Sequence, residues 1–254
     1  MASPRREEGN SRVRYLDTTI AYDMWSKVYD TDGNFLQALD SAEIEALLPK
    51  LVAAIDSPKP WTLVDLGCGT GRNTVRLVQI PDSHVIALDL SPKMLDVARK
   101  RLDGADTATH ETSRVTLQVF DVLNAAAGAS SPPRNADAVV STLVVEHVPL
   151  AAYFAAAAGM LKPGGLLLLT NMHSDMGRIS QAGFVDPATG DKIRPQSYAH
   201  SVADVVAEAA RHGLAVASAF EERCVTEDNY RLFGLRAKKW VGVRVWYGGI
   251  LRKI

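Results

Sequence analysis

The chain has 254 residues, with 28 basic against 29 acidic side chains and 47% hydrophobic residues. That composition suits a globular protein with a sizeable core, and it lacks the basic excess that gripping nucleic acid or an anionic membrane requires. Cys68 and Cys224 form neither a disulfide framework nor a paired-cysteine zinc site, and no apolar run is long enough to span a membrane.

The opening MASPRREEGNSRVR lacks the apolar centre of a secretory signal, so the expected compartment is cytoplasmic. Residues 1–14 read as a flexible tail and 15–254 as one domain, beginning with a helical lid over 15–57. Within the lid, FLQALDSAEIEALLPKLVAAI keeps apolar residues at helical spacing until Asp56-Ser57-Pro58. TLVDLG is strand-like, and RNTVRLVQI is a short helix stopped by Pro81. HVIALDL is the next strand, and Ser91-Pro92 opens the helix KMLDVARKRL with a serine cap and a first-turn proline. RVTLQVF is a third strand, LNAAAGASSPPRNA a loop with one weak turn, and ADAVVST a fourth strand. The helix LAAYFAAAAGML ends at Lys162-Pro163-Gly164-Gly165, before LLLLTN, a strand too apolar to alternate, as expected when both faces are covered. Alternating strands and helices predict a parallel sheet with helices on both sides.

The stretch 172–201 breaks this rhythm, and a loop of such length points to function, here a substrate loop. The helix VADVVAEAARHG follows. LAVASAFEE and KKWVGVRVWYGG are then two strands whose short connection predicts antiparallel pairing, with Trp240 and Trp246 on one face of the second.

VDLGCGTGRNT (64–74) follows the first βα strand and opens a helix. Its alternate glycines permit positive φ and let a ligand touch the backbone, at the strand ends where open α/β sheets bind ligands. Asp89 ends the next strand, where an acidic side chain can hold ribose hydroxyls. A dinucleotide site wants a small residue where Arg72 stands, and Asp65 would repel a pyrophosphate, which argues against a nicotinamide enzyme.

On these residues the chain resembles the class I S-adenosylmethionine-dependent methyltransferases, in their small-molecule branch. Asp65-x-Gly67-x-Gly69-x-Gly71 is similar to the first motif, VIALDLSPKML to the second, FDV (120–122) to the third and ADAVVSTLVVEHV to the fourth. LKPGGLLLLT is similar to the segment entering the fifth strand, and IAYDMWSKVYD to the lid. The resemblance implies a Rossmann-like, doubly wound, seven-stranded and mostly parallel sheet with an antiparallel last strand. It also implies S-adenosyl-L-methionine as cofactor, S-adenosyl-L-homocysteine as product, and no metal. Asp89 would take the ribose, Asp121 the adenine amino group, and Leu90 and Val122 the adenine ring. Tyr22, Trp25, Asp65, Gly67, Cys68, Gly69, Gly71, Met94 and Leu143 complete the expected cofactor contacts. Similar chains include fungal enzymes of secondary metabolism.

His147 and His173 follow the fourth and fifth strands and are the candidate catalytic bases, although a structural hydrogen bond serves His147 equally well. Tyr29, Tyr198 and His200 are candidate substrate contacts, while Tyr22, Trp25 and Tyr29, at near-helical spacing, fit a core stripe as well. His84, His110 and His212 read as solvated residues at element edges. The expected reaction is in-line methyl transfer to a hydroxyl or an amine of a small molecule. STLVVEHVP stands where base- and glutamine-methylating enzymes carry Asn/Asp-Pro-Pro-Tyr/Phe. A protein methyltransferase, or a cofactor-binding protein without transferase activity, is the alternative. Neither nucleic acid nor membrane is an expected partner, and monomer and homodimer both remain open.

Overall fold

A computed structural model describes residues 12–104, 114–124 and 131–254. His110 and residues 1–11 of the expected tail lie outside the described residues. Three short strands, β1 (Val13–Tyr15), β7 (Phe184–Val185) and β8 (Lys192–Arg194), make a small sheet in the order β1-β8-β7. The main sheet comprises β2 (Trp61–Leu66), β3 (Ser83–Asp89), β4 (Val115–Val119), β5 (Ala136–Thr142), β6 (Leu161–Met172), β9 (Leu214–Cys224) and β10 (Arg244–Lys253). Its order is β4-β3-β2-β5-β6-β10-β9, parallel except for β10, which runs antiparallel to both neighbours. The expected Rossmann-like sheet with an antiparallel last strand is therefore present. Strand order reverses between β2 and β5, and a crevice opens at such a switch point.

The helices are α1 (Thr18–Trp25), α2 (Phe35–Ala54), α3 (Thr74–Val78), α4 (Pro92–Gly104), α5 (Leu150–Met160), α6 (Ser174–Ile179) and α7 (Val202–Arg211). On one face, Leu39, Ile44, Leu47 and Leu51 of α2 join the core formed by Leu166, Leu168, Trp246 and Ile250. On the other, Phe154, Ala157 and Met160 of α5 and Val205 of α7 join Leu167, Leu169 and Leu251. Successive leucines of β6 thus enter opposite cores, which is why that strand reads as an unbroken apolar run. Each such leucine contributes about 1.5–3 kcal/mol on burial. No helix among the described residues is long and apolar enough to cross a membrane.

Asp40 is an exception on the apolar side of α2. It is fully buried, and its carboxylate accepts from Arg72 at 2.7 Å, Thr170 Oγ1 at 2.6 Å and Trp246 Nε1 at 2.9 Å. One side chain therefore fastens α2 to the glycine loop, β6 and β10.

Three sequence expectations are corrected. Val13 and Arg14, assigned to the tail, belong to β1, which pairs in parallel with Lys192 and Ile193 of β8. Residues 172–201 are not structureless: they hold α6, β7 and β8, and β8 takes its second neighbour, β1, from the segment that leads into the lid. Trp240 is not on the last strand. It ends the 3-10 turn Leu235–Trp240, and Gly242 at φ 85° separates it from β10.

Candidate active site

Gly67, Gly69 and Gly71 have φ values of 77°, 54° and 80°. A Cβ on Gly67 would lie 2.1 Å from Val144 Cγ2, and one on Gly71 would press Ala98 at 3.1 Å. A Cβ on Gly69 would meet nothing within 4 Å. Two of the glycines thus let the loop pack, and the third leaves space above it. Asp65 lies beneath, accepting from Thr74 Oγ1 at 2.6 Å. Burial lifts its pKa to about 6, against the pull of that hydrogen bond and of the Arg72 charge.

Asp89 ends β3 and accepts from the backbone N–H groups of Gly69 and Ser91, both at 2.8 Å. Burial raises its pKa to about 6, and these two hydrogen bonds oppose the rise. Above it lies a cleft lined by Gly67, Gly69, Leu90, Phe120, Asp121, Val122, Thr142, Leu143 and His147, with Thr18, Tyr22 and Tyr29 from the lid. The cleft suits S-adenosylmethionine. It has a carboxylate for two ribose hydroxyls, an apolar slot of Leu90, Phe120 and Val122 beside Asp121 for adenine, and bare backbone at Gly69.

A second chamber shares Tyr22, Tyr29 and Leu143 with the first. Its remaining wall includes Trp25, Phe35, Leu36, Met172, Met176 and Trp240, with Asp32, Glu146, Gln181, Lys192, Arg236 and Lys239 as polar members. The partition is itself strained. Leu143 adopts φ 57°, a left-handed conformation rare outside glycine, and its N–H is held by the Thr170 carbonyl at 2.9 Å.

His147 stands at this partition. Its Nδ1–H donates to the Gln196 carbonyl at 2.7 Å, which leaves Nε2 to accept from the Tyr22 hydroxyl at 2.7 Å. A carbonyl can only accept, so the tautomer follows from the partner. Burial holds the imidazole pKa down near 4, opposed by the Gln196 bond, so the ring is neutral near pH 7. Its neighbour Glu146 is 3% exposed, and its Oε2 has no hydrogen-bond partner. Burial pushes the Glu146 pKa up to about 7, although several hydrogen bonds pull the other way.

The residues named from sequence fall into four groups. Tyr22, Tyr29, Gly67, Gly69, Asp89, Leu90, Asp121, Val122, Leu143 and His147 line the first cleft. Asp65, Cys68, Gly71 and Met94 lie behind it: Cys68 packs on Ala87 and Leu95 with its thiol pKa raised by burial, and Met94 packs with Ala21 and Trp25. Trp25 faces the second chamber, donates to Asp32 at 2.8 Å and stacks on Phe184. His173, Tyr198 and His200 line neither chamber. His173 accepts from the Asp175 N–H as the cap of α6, and His200 stacks on Tyr198 and bonds the Val148 carbonyl. Sequence reasoning passed over Glu146, Gln181, Lys192, Arg236 and Lys239. The only signal for Glu146 was its place beside His147 after the fourth strand.

The family model described as "Methyltransferase domain" matches residues 63–165. An uncharacterized methyltransferase of Emericella nidulans is 44% identical, with 94% of this chain and 93% of that protein covered. Trans-aconitate 2-methyltransferase of Methylobacterium radiotolerans is 29% identical over 63% of this chain and 62% of its own length. Among solved structures, the magnesium protoporphyrin IX methyltransferase of Synechocystis PCC 6803 with bound S-adenosylhomocysteine shares the fold. Its TM-score is 0.61 at 17% identity, with 93% of this chain and 95% of that one covered.

Proposed function

Because the chain belongs to the class I S-adenosylmethionine-dependent methyltransferases, we propose that it methylates a hydroxyl oxygen of a small molecule seated in the second chamber. The observation that carries this reading is Glu146, a buried carboxylate with a free oxygen in the wall of a chamber that adjoins the cofactor cleft. Asp89, Asp121, Leu90 and Val122 would hold the nucleoside, and the backbone at Gly69 would leave room for it. Bound there, S-adenosylmethionine supplies a methyl carbon activated by a sulfonium and departs as a neutral thioether.

The residues of the chain do the rest. Tyr22 and Tyr29 roof both chambers and Trp25 the second, which supports a small acceptor over a protein surface. Glu146 Oε2 takes the hydroxyl proton, and its elevated pKa suits a base working near neutrality. Such a base typically contributes about 10²–10⁴-fold. His147 holds Tyr22 in place, and both of its ring nitrogens are already engaged. Calorimetric titration with S-adenosylmethionine and S-adenosylhomocysteine, beside NAD, on wild type and Asp89→Ala tests the cofactor assignment. A screen of hydroxylated acceptors with labelled methyl, on wild type and Glu146→Gln, tests the transfer. Methylation confined to amines, or full turnover by Glu146→Gln, overturns the hydroxyl reading.

A further inference from the structure

We propose that the acceptor is an anion, and that Lys192, Arg236 and Lys239 hold its carboxylate or phosphate group at the mouth of the second chamber. The proposal rests on the reading of that chamber as the acceptor site.

The three cations come from β8 and from the 3-10 turn Leu235–Trp240, and they converge on one cavity. Among the described residues none of them lies within ion-pair distance of a carboxylate. Lys192 donates to the Gly183 carbonyl at 3.0 Å, Arg236 to the Asp32 carbonyl, and Lys239 lies 5.3 Å over the Trp240 ring. Arg101, Arg223 and Arg244, by contrast, each pair with a carboxylate. Asp32 also lines the chamber, but its two oxygens already accept from Trp25 Nε1 at 2.8 Å and Asn34 N–H at 3.0 Å.

Three cations left facing one another are held together at a cost. Burial, then the charges of Arg236, Arg194 and Lys239, keep the Lys192 pKa below the usual lysine range, with Asp32 opposing. An anion among them removes that repulsion, and guanidinium and ammonium groups bond carboxylate and phosphate oxygens strongly.

The chamber is also polarised. Arg236 and Lys239 are exposed at its rim, whereas Glu146 is buried. Gln181 Oε1 and, when the carboxyl is ionised, Glu146 Oε2 have no partner and act as acceptors. Donors therefore gather at the mouth and free acceptors lie within. A molecule with an anionic group at one end and a hydroxyl at the other matches both. A cationic amine would be repelled on entry, and a neutral molecule would leave three charges unanswered.

The test titrates the full chain, saturated with S-adenosylhomocysteine, with three probes: citrate, its neutral trimethyl ester, and inorganic phosphate. Citrate or phosphate should bind at millimolar concentration or tighter, more weakly as salt is raised, and at least tenfold more weakly in Lys192→Met and in Lys239→Met. The ester should not compete. Citrate alone would identify a carboxylate site, and phosphate alone a phosphate site. Lys239→Met changes an exposed side chain, and unchanged S-adenosylhomocysteine affinity in both variants shows that the fold and the cofactor cleft persist. Failure of both anions to bind, equal binding of the ester, or undiminished binding by the variants overturns the proposal. Failure of the methyltransferase reading would appear separately, as wild type that does not bind S-adenosylhomocysteine.

Discussion

Replacing Glu146 with glutamine should make the protein more stable and less active, and the stability gain should depend on pH. The Glu146 carboxyl is pushed up to about 7 in the folded chain, from an ordinary value of 4.5. Below the ordinary value both folded and unfolded states hold the proton, and burial costs nothing through ionisation. As pH rises toward 7 the unfolded chain ionises first, so the native state loses relative stability across that window and stays penalised above it. A displacement of this size corresponds to about 3 kcal/mol. Glutamine keeps the shape and removes the charge. Urea unfolding of the two proteins without ligand should therefore give equal stability near pH 4, and a variant about 2–4 kcal/mol more stable near pH 8. Asp65, Asp89 and His147 also titrate with shifted pKa values, but they are common to both proteins and cancel in the difference. Turnover should fall about 10²–10⁴-fold, and the rise in wild-type rate through about pH 7 should vanish. Equal stability at both pH values would refute the buried-charge argument. A stabilised variant that keeps its turnover would refute the base alone.

Gly69→Ala should cost about 1–2 kcal/mol through its left-handed backbone and weaken S-adenosylhomocysteine binding at least tenfold, whereas Gly67→Ala, which would collide with Val144, should fail to yield soluble folded protein. Asp40→Ala strands the Arg72 guanidinium and should lower stability by about 3–5 kcal/mol in chemical denaturation. Tyr22→Phe leaves His147 Nε2 without its donor, which should cost about 1–3 kcal/mol and speed hydrogen exchange in α1. S-adenosylhomocysteine affinity in wild type should fall as pH drops through about 6, where Asp89 takes up its proton, and Asp89→Asn should bind weakly at every pH in that range.

The sheet and the cofactor cleft were legible in the sequence because their signals are local. Asp65 through Gly71 sit in one turn, Asp89 closes the next strand, and apolar runs mark strands covered on both faces. The second chamber was not legible, because five separate stretches build it. Lys192 and Arg236 are 44 positions apart in the numbering, and they meet only because β8 folds back against the lid. His147 stands out in the sequence by its place after the fourth strand. In the folded chain burial reverses the two neighbours, sending the histidine down to about 4 and Glu146 up to about 7. No residue pattern encodes that reversal, since the cause is the absence of water.

The lid is tied down at places far apart in the chain. Asp23 accepts from Ser91, Asp30 from Thr70 and Arg101, Tyr22 engages His147, and β1 is zipped to β8. Because Tyr22 and Tyr29 line both chambers, whatever loosens these ties widens the two at once. On the proposed reading, a variant that weakens one tie should therefore lose its grip on cofactor and acceptor together, and by a similar factor.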